Sequence, residues 1–169
     1  MLTGTSSACV QRGKSGPPVL LPPQWDVSVS VADRLDALKS MVKEQHWQNR
    51  SVVSVLPPDH YQLMQVELAE LPHEERRDAA RWQIREMLEF PVEQAVVDVF
   101  DVAPFGSDKR PLTYVVAARE ELLRERLNLL RDAELELTSI DIPEFALRNL
   151  AELFFEDDRG TAILYLQEQ

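Results

Sequence analysis

The sequence predicts an α/β protein in which one small unit is inserted into another. Strand-like and helical patterns alternate along the chain, and in its middle they follow the order β-α-β-β-α-β. That order is typical of a split βαβ unit, which carries two helices on one face of a sheet. Pro57, Pro58 and Pro143 interrupt the patterns at its two ends. The predicted division is 59–142 for the inserted unit, with 1–58 and 143–169 for the flanking unit.

The N-terminal flank is predicted to hold short strands and one helix. Short β-like pieces fall at 7–12 and 18–21. Ser30 and Asp33 resemble a capping pattern at a helix start. Apolar residues then recur at helical spacing, which predicts an amphipathic helix over 31–47. They are Val31, Leu35, Leu38 and Val42.

Four apolar runs and two helical stripes predict the inserted unit. A β-branched strand at 51–56 is predicted to precede it. The four predicted strands are 61–68, 95–103, 112–118 and 135–142, and we expect them to form one antiparallel sheet. A first helix begins at Pro72, where proline fits the first turn. Its apolar stripe is Ala80, Ile84, Met87 and Leu88. A second helix at 119–133 is predicted to bury Leu123, Leu127 and Leu130 on one face of the sheet.

A last helix is predicted to start at Pro143, and a last strand to follow at 161–167. Because the chain ends on this apolar run, we expect it to be part of a longer protein.

The charge balance excludes one broad class of function. The 169 residues include 29 acidic and 18 basic side chains, a net charge of −11. This argues against a general nucleic-acid binder. The acidity fits either a basic partner peptide or a merely solubilising surface. No apolar run reaches the ~20 residues that span a bilayer, so we expect no membrane insertion, and the single Cys9 excludes an intrachain disulfide.

No catalytic or metal-binding pattern is evident. His46, His60 and His73 are scattered and stand in no metal-ligand spacing with Cys9. Asp98 and Asp101 are the candidates for paired acids, but residues three apart on a strand point to opposite faces. We therefore predict no catalytic residue and no metal site. Asp98 is predicted to be a structural carboxylate with a partner, since an isolated buried one is costly.

Two stretches remain as candidates for binding. Trp82 lies off the apolar stripe of its helix, so it is either core or part of an interaction surface. The small residues at 4–7, GTSS, are predicted to form a turn whose backbone N–H groups could hold a phosphate.

The stretch RWQIREMLEFPVEQAVVDVF, residues 81–100, resembles a motif of the PilM family of type IV pilus assembly proteins, particularly its MshI branch in MSHA pili. The matching positions are Arg81, Trp82, Phe90, Pro91, Glu93 and Asp98. Two later motifs also match, through Ala117, Ala118, Arg119, Asp141, Phe145 and Ala146. The resemblance covers about the N-terminal half of a family member.

The resemblance implies an actin-like ATPase (RNase H-like) fold, in which subdomain 1C interrupts subdomain 1A. It also implies a cytoplasmic protein, peripheral at the inner membrane through its partners. The main implied partner is an inner-membrane pilus assembly protein of the PilN or MshJ type, whose N-terminal tail lies between 1A and 1C. Other pilus assembly proteins are further implied partners. The implied partner-binding residues are Arg81, Trp82, Arg85, Phe90 and Pro91.

The chain departs from the ATP-binding members of that family. Their first phosphate loop carries an acid where this chain has Leu2, which leaves Gly4, Thr5 and Ser6 as a remnant nucleotide site. The second phosphate loop lacks its acid as well. We therefore expect no cofactor in this chain, with ATP and magnesium possible only at full length.

The leading hypothesis is a non-catalytic scaffold of pilus assembly. The alternatives are a nucleotide-dependent switch that binds ATP only at full length, and a ferredoxin-like interaction module with no role in pili.

Glu134 is a local departure from the family pattern. Relatives have glycine here, just after a helix, where a left-handed residue commonly ends it. We expect Glu134 either to adopt a positive φ or to sit in a lengthened last turn.

Overall fold

The computed structural model describes residues 3–7, 10–11, 19–20, 24–28, 30–102, 111–154 and 162–164. In chain order the described strands are β1 Thr3–Ser7, β2 Val10–Gln11, β3 Val19–Leu20, β4 Gln24–Ser28, β5 Ser51–Val55, β6 Tyr61–Val66, β7 Ala95–Val102, β8 Leu112–Arg119 and β9 Glu136–Asp141. The described helices are α1 Val31–Glu44, α2 His73–Ile84, α3 Glu120–Asp132 and α4 Pro143–Phe154. Most of the predicted elements are therefore confirmed.

The chain divides into two compact units. The first comprises Met1–Val52 and Asn128–Leu137, and the second comprises Val53–Leu127 and Thr138–Gln169. The predicted boundaries of the inserted segment, 59 and 142, stay a prediction.

The second unit is built on the antiparallel sheet β6–β8–β7. Helix α2 packs on one face of it, where Ala80 and Ile84 are fully buried. They form one cluster with Val66, Ala95, Val97, Val115 and Ala117. A second cluster holds Leu56, Tyr61, Ala118 and Ile142, with Phe145 of α4 against it. The Tyr61 hydroxyl donates to Glu144 Oε2 at 2.7 Å, which fixes the start of α4.

The predicted four-stranded sheet is wrong in one strand. The strand β9 does not join β6–β8–β7 but pairs with β5. The Glu136 N–H donates to the Arg50 carbonyl, and the Leu56 N–H donates to the Asp141 carbonyl. These bonds advance in the same direction on both strands, so the pair is parallel. Alternating apolar residues predict a strand but do not specify its neighbour.

The predicted leucine stripe of α3 is also wrong as a single packed face. Leu123 packs in the cluster around Tyr61, whereas Leu130 packs in the core of the first unit. Leu127 is 47% exposed. The helix contributes residues to both units, so its stripe is shared between two cores.

In the first unit, α1 packs through Leu38 and Val42 against Ala133 and Leu135. The predicted cap of α1 is confirmed, because the Asp33 N–H donates to the Ser30 hydroxyl at 3.1 Å. The predicted last strand is not seen at 162–164, which the structure describes as irregular. The rest of that prediction lies outside the described residues.

Helices α3 and α1 end in the same left-handed motif. At the end of α3 the Leu135 N–H donates to the Leu130 carbonyl and the Glu134 N–H to the Arg131 carbonyl, both at 3.0 Å. This is a Schellman motif with Glu134 at φ 62°. The prediction for Glu134 is confirmed in its first form. Helix α1 ends likewise, with His46 at φ 54°.

Candidate functional site

Helix α2 buries one side and exposes a tryptophan on the other. Trp82 is 77% exposed, whereas Ala80 and Ile84 are fully buried. Since 82 lies about half a turn from 80 and 84, an α-helix that buries those two must turn Trp82 outward. The open question of core or surface is therefore answered in favour of surface.

Arg85 is one turn beyond Trp82 and lies beside its ring. The guanidinium carbon is 6.0 Å from the ring centroid, at the outer limit of a cation–π contact. Asp78 and Glu86 stand four residues before and after Trp82, which is neighbour spacing on a helix. The turn continues helically here, because the Leu88 N–H donates to the Ile84 carbonyl at 3.1 Å. We name these four exposed residues, Asp78, Trp82, Arg85 and Glu86, the Trp82 surface.

Arg81 and Phe90 have structural contacts of their own. Arg81 Nη1 donates to the Val92 carbonyl at 3.3 Å, which ties α2 to the segment that follows it. Phe90 packs against the core cluster of α2. The Arg119 guanidinium carbon lies 4.2 Å from the centroid of its ring. Both side chains are partly buried, so the structure gives them a role in holding this segment in place.

Pro91 begins the short turn Val92–Gln94 that leads into β7. The Gln94 N–H donates to the Pro91 carbonyl at 2.9 Å. Pro91 itself is exposed. Of the five predicted partner-binding residues, Trp82, Arg85 and Pro91 are therefore exposed, and whether any of them binds a partner stays a prediction.

Met87 departs from the predicted apolar stripe. It is 50% exposed and lies in the turn that follows α2, beyond Ile84. Leu88, the next stripe residue, does pack against the core.

The acid pair Asp98 and Asp101 lies on opposite faces of the sheet, as predicted. Asp98 is opposite Val116 and Asp101 is opposite Thr113, and 113 and 116 point to different faces of β8. Asp98 has a partner, as predicted: Arg77 Nη2 lies 2.9 Å from its Oδ1, but the Asp98 side chain is 69% exposed rather than buried. The pair therefore cannot converge on one substrate.

Asp101 belongs to a three-residue network. Arg76 Nη2 donates to its Oδ1 at 2.6 Å, and the Thr113 hydroxyl donates to the same oxygen at 2.7 Å. The hydrogen bond from Arg76, then that from Thr113, lowers the pKa of Asp101 below its ordinary value. The same hydrogen bond with Asp101 raises the pKa of Arg76. This network fastens α2 to β7 and β8.

The remnant nucleotide site has a different backbone conformation from the predicted turn. Gly4, Thr5 and Ser6 lie inside β1, which pairs antiparallel with β4. The predicted turn at 4–7 is therefore wrong, because the backbone N–H groups of a strand alternate in direction and do not form a phosphate cradle. Nucleotide binding at full length stays a prediction.

The described residues offer no assembled metal site. No three of their His, Cys, Asp and Glu side chains come together in a group that could hold a metal ion. Among the same residues, none of the helices combines the length and apolar character needed to cross a bilayer.

Comparison with solved structures identifies the fold. A chain of the PilM–PilN type IV pilus biogenesis complex matches with a TM-score of 0.72 and 23% identity, over 88% of this chain and 47% of that one. The fold is that of the actin-like ATPases. The cytoplasmic domain of EpsL, an inner-membrane component of the type II secretion system of Vibrio cholerae, shares this fold with a TM-score of 0.55 and 18% identity. That match covers 73% of this chain and 46% of the EpsL domain.

The chain thus spans about half the length of the solved structures that it matches. No protein-family model matches the sequence, and no curated protein matches it. The actin-like fold was implied by the resemblance of residues 81–100 and is confirmed.

Sequence reasoning missed three contributors to the region around α2. Arg119 was noted only as part of a motif, although its position over Phe90 holds the segment after α2. Asp78 and Glu86 were not singled out, although their spacing of four from Trp82 was visible in the sequence. That spacing is the signal that could have identified them.

Proposed function

We propose that this protein is a non-catalytic adaptor of type IV pilus assembly, in the MSHA branch, that binds the cytoplasmic tail of an inner-membrane protein of the PilN or MshJ type. The observation that carries the proposal is the likeness to the PilM–PilN complex over 88% of the chain. The EpsL likeness supports it, because that domain also belongs to an inner-membrane assembly. In this proposal the protein acts in the cytoplasm and reaches the inner membrane through its partner.

A non-catalytic role agrees with the chemistry of the described residues. Phosphoryl transfer needs placed carboxylates, magnesium and a phosphate-cradling loop. Asp98 and Asp101 lie on opposite faces of the sheet, each in an ion pair with an arginine of α2, and GTSS is a strand. The hypothesis of a nucleotide-dependent switch was based on a turn at residues 4–7, and these residues form a strand instead.

The exposed side of α2 is the candidate contact region. Binding hot spots are enriched in tryptophan and arginine. Trp82 and Arg85 provide both at one exposed site, and the network of Arg76 with Asp101 holds their helix on the sheet. A rigid support of this kind lowers the cost of ordering a binding surface.

Co-purification of the full-length protein with the PilN-type protein from the same organism tests the proposal. The expected result is a complex that forms with the intact partner and is lost when the partner's cytoplasmic tail is deleted. The matched control deletes an equal length from the partner's periplasmic end and retains binding. Absence of the complex with the intact partner would refute the adaptor role.

A further inference from the structure

We propose that the ion pair of Arg77 with Asp98 blocks the free edge of β7, so that a second copy of this chain cannot add a strand there. The block has two parts: an arginine side chain that crosses the edge, and a carboxylate that occupies one of its N–H groups. This role goes beyond the adaptor function and does not depend on it, because it needs no partner from pilus assembly.

Strand β7 forms one edge of its sheet, because β8 is its only neighbour among the described strands. The strand is eight residues long, contains neither proline nor glycine, and has six apolar residues. A long apolar edge of this kind is a template on which another chain can form a strand. Whatever lies across this edge therefore decides whether another chain can pair with it.

Alternate residues of β7 direct their backbone groups away from β8 and toward the free edge. The Val99 N–H donates to Asp98 Oδ1 at 3.1 Å, and the Ala95 N–H donates to the Val92 carbonyl. Since both donors are engaged outside the ladder with β8, the odd-numbered residues of β7 are the ones that face the edge. The Asp98 carboxylate thus occupies the place at Val99 that a carbonyl of an added strand would take.

Arg77 reaches Asp98 around this edge. Helix α2 packs on the face of the sheet that includes Val97. Asp98 is the next residue of the strand, so its side chain points to the opposite face. Arg77 Nη2 nevertheless lies 2.9 Å from Asp98 Oδ1, and Arg77 Nε donates to the same oxygen at 3.2 Å. Because β8 closes the other side of β7, the arginine side chain must pass the free edge, where it obstructs an incoming strand.

The neighbouring ion pair of Arg76 with Asp101 has a different position and a different role. It lies on the α2 face of the sheet, where Arg76 is only 21% exposed, and it fastens the helix. The side chains of Arg77 and Asp98 are 58% and 69% exposed, and an ion pair so exposed contributes little to stability. Its position across the edge instead affects association with other chains.

A second copy of this chain is the partner that the ion pair excludes. Every copy carries the same edge, and two antiparallel copies of β7 can pair about a two-fold axis. With the axis at residue 98, residues 97 and 99 of the two copies pair, and the two Asp98 side chains lie directly opposite each other. Like charges in that position are destabilising. Removal of the carboxylate therefore ends this repulsion and releases the Val99 N–H at the same time.

The oligomeric state of the full chain tests the proposal. Analytical ultracentrifugation over a range of concentrations compares the wild type with the double variant Arg77→Ala and Asp98→Ala. We expect the double variant to self-associate about tenfold or more tightly than the wild type. The matched control, Glu120→Ala with Arg124→Ala, removes an exposed ion pair from α3 and should behave like the wild type. Both double variants leave the net charge unchanged.

Hydrogen exchange locates the contact in the same samples. In dilute solution the Val99 amide should exchange faster in the Arg77→Ala, Asp98→Ala variant than in the wild type, because its acceptor is gone. As the concentration rises, the amides of Val97 and Val99 should become protected, since an added strand supplies new acceptors. Circular dichroism of each variant confirms that the fold is retained.

Three outcomes would each overturn the proposal. The first is an Arg77→Ala, Asp98→Ala variant that self-associates no more than the wild type. The second is a control on α3 that associates as tightly as this variant. The third is association that leaves the exchange of the β7 amides unchanged, which would place the contact elsewhere.

Discussion

The guanidinium carbon of Arg119 lies 4.2 Å above the ring of Phe90, at the point where the chain leaves α2 for β7. Phe90 also packs against the core cluster that holds Ala80 and Ile84. The segment after α2 is therefore fixed from both sides. In the proposed function, Phe90 holds the segment after α2 in place, and Trp82 on the exposed side of α2 contacts the partner.

Phe90→Ala should destabilise the protein, whereas Trp82→Ala should not. Loss of the packed Phe90 ring should lower the free energy of unfolding by about 2–3 kcal/mol. Loss of the exposed Trp82 ring should change it by no more than about 0.5 kcal/mol. Urea denaturation followed by circular dichroism measures both. Equal losses for the two variants would contradict the assignment of Trp82 to the surface.

Glu134→Gly should stabilise the protein. Glu134 has φ 62°, where a Cβ costs about 1–2 kcal/mol and glycine has no such cost. Part of this gain is offset because glycine also increases the entropy of the unfolded chain. The expected net gain is about 0.5–1 kcal/mol, or roughly 2 °C in Tm for a chain of this size.

The control for this substitution is Glu136→Gly, which places glycine in the strand β9. It should lower Tm, because glycine in a strand weakens it. A fall in Tm on Glu134→Gly would contradict the account of strain at the end of α3.

Asp101→Asn should destabilise the protein at neutral pH and lose this effect in acid. The hydrogen bonds from Arg76 and Thr113 lower the pKa of Asp101 in the folded state. Its contribution to stability is therefore present above the unfolded pKa and is lost as the pH falls through the folded one. Because Asp101 is 38% exposed, solvent limits the contribution to about 1 kcal/mol or less.

Urea denaturation measures the stability difference between variant and wild type at neutral pH and again at a pH well below the ordinary carboxyl pKa of 3.8, low enough to protonate Asp101 in the folded protein as well. Asp98→Asn is the control. Its ion pair with Arg77 is more exposed, so that variant should stay near wild type at both pH values. A destabilisation by Asp101→Asn that persists unchanged in acid would contradict the role of the ionised carboxylate.

The isolated chain should not bind ATP measurably. Leu2 stands where ATP-binding relatives carry an acid, and Thr3–Ser7 form a strand. Calorimetric titration with ATP and magnesium should give no heat of binding. A micromolar dissociation constant would revive the nucleotide-dependent switch.

Much of the element order followed from local chemistry. Ser30 and Asp33 specify a cap through contacts three residues apart, and the structure has that cap. Helical periodicity placed Trp82 off the apolar stripe of its helix, which left core and surface both open, and the structure exposes it. Such features depend on neighbours in sequence.

The partner of each strand could not be predicted in the same way. The run that became β9 has the pattern of a strand, but its pairing with β5 joins segments more than 80 residues apart. Alternation of apolar residues carries no information about that distance. The left-handed ends of α1 and α3 could be predicted only in part from the sequence. Glycine is the usual signal for such an end, and these positions are His46 and Glu134.

The affinity of the full-length protein for the tail peptide of its PilN-type partner decides whether the exposed side of α2 binds the tail. We expect saturable binding to the wild type and a loss of about tenfold or more with Trp82→Ala, at unchanged stability. The control Val55→Ala, also at an exposed apolar side chain, should bind like the wild type. No binding to the wild type, or equal affinities for wild type and Trp82→Ala, would contradict this expectation.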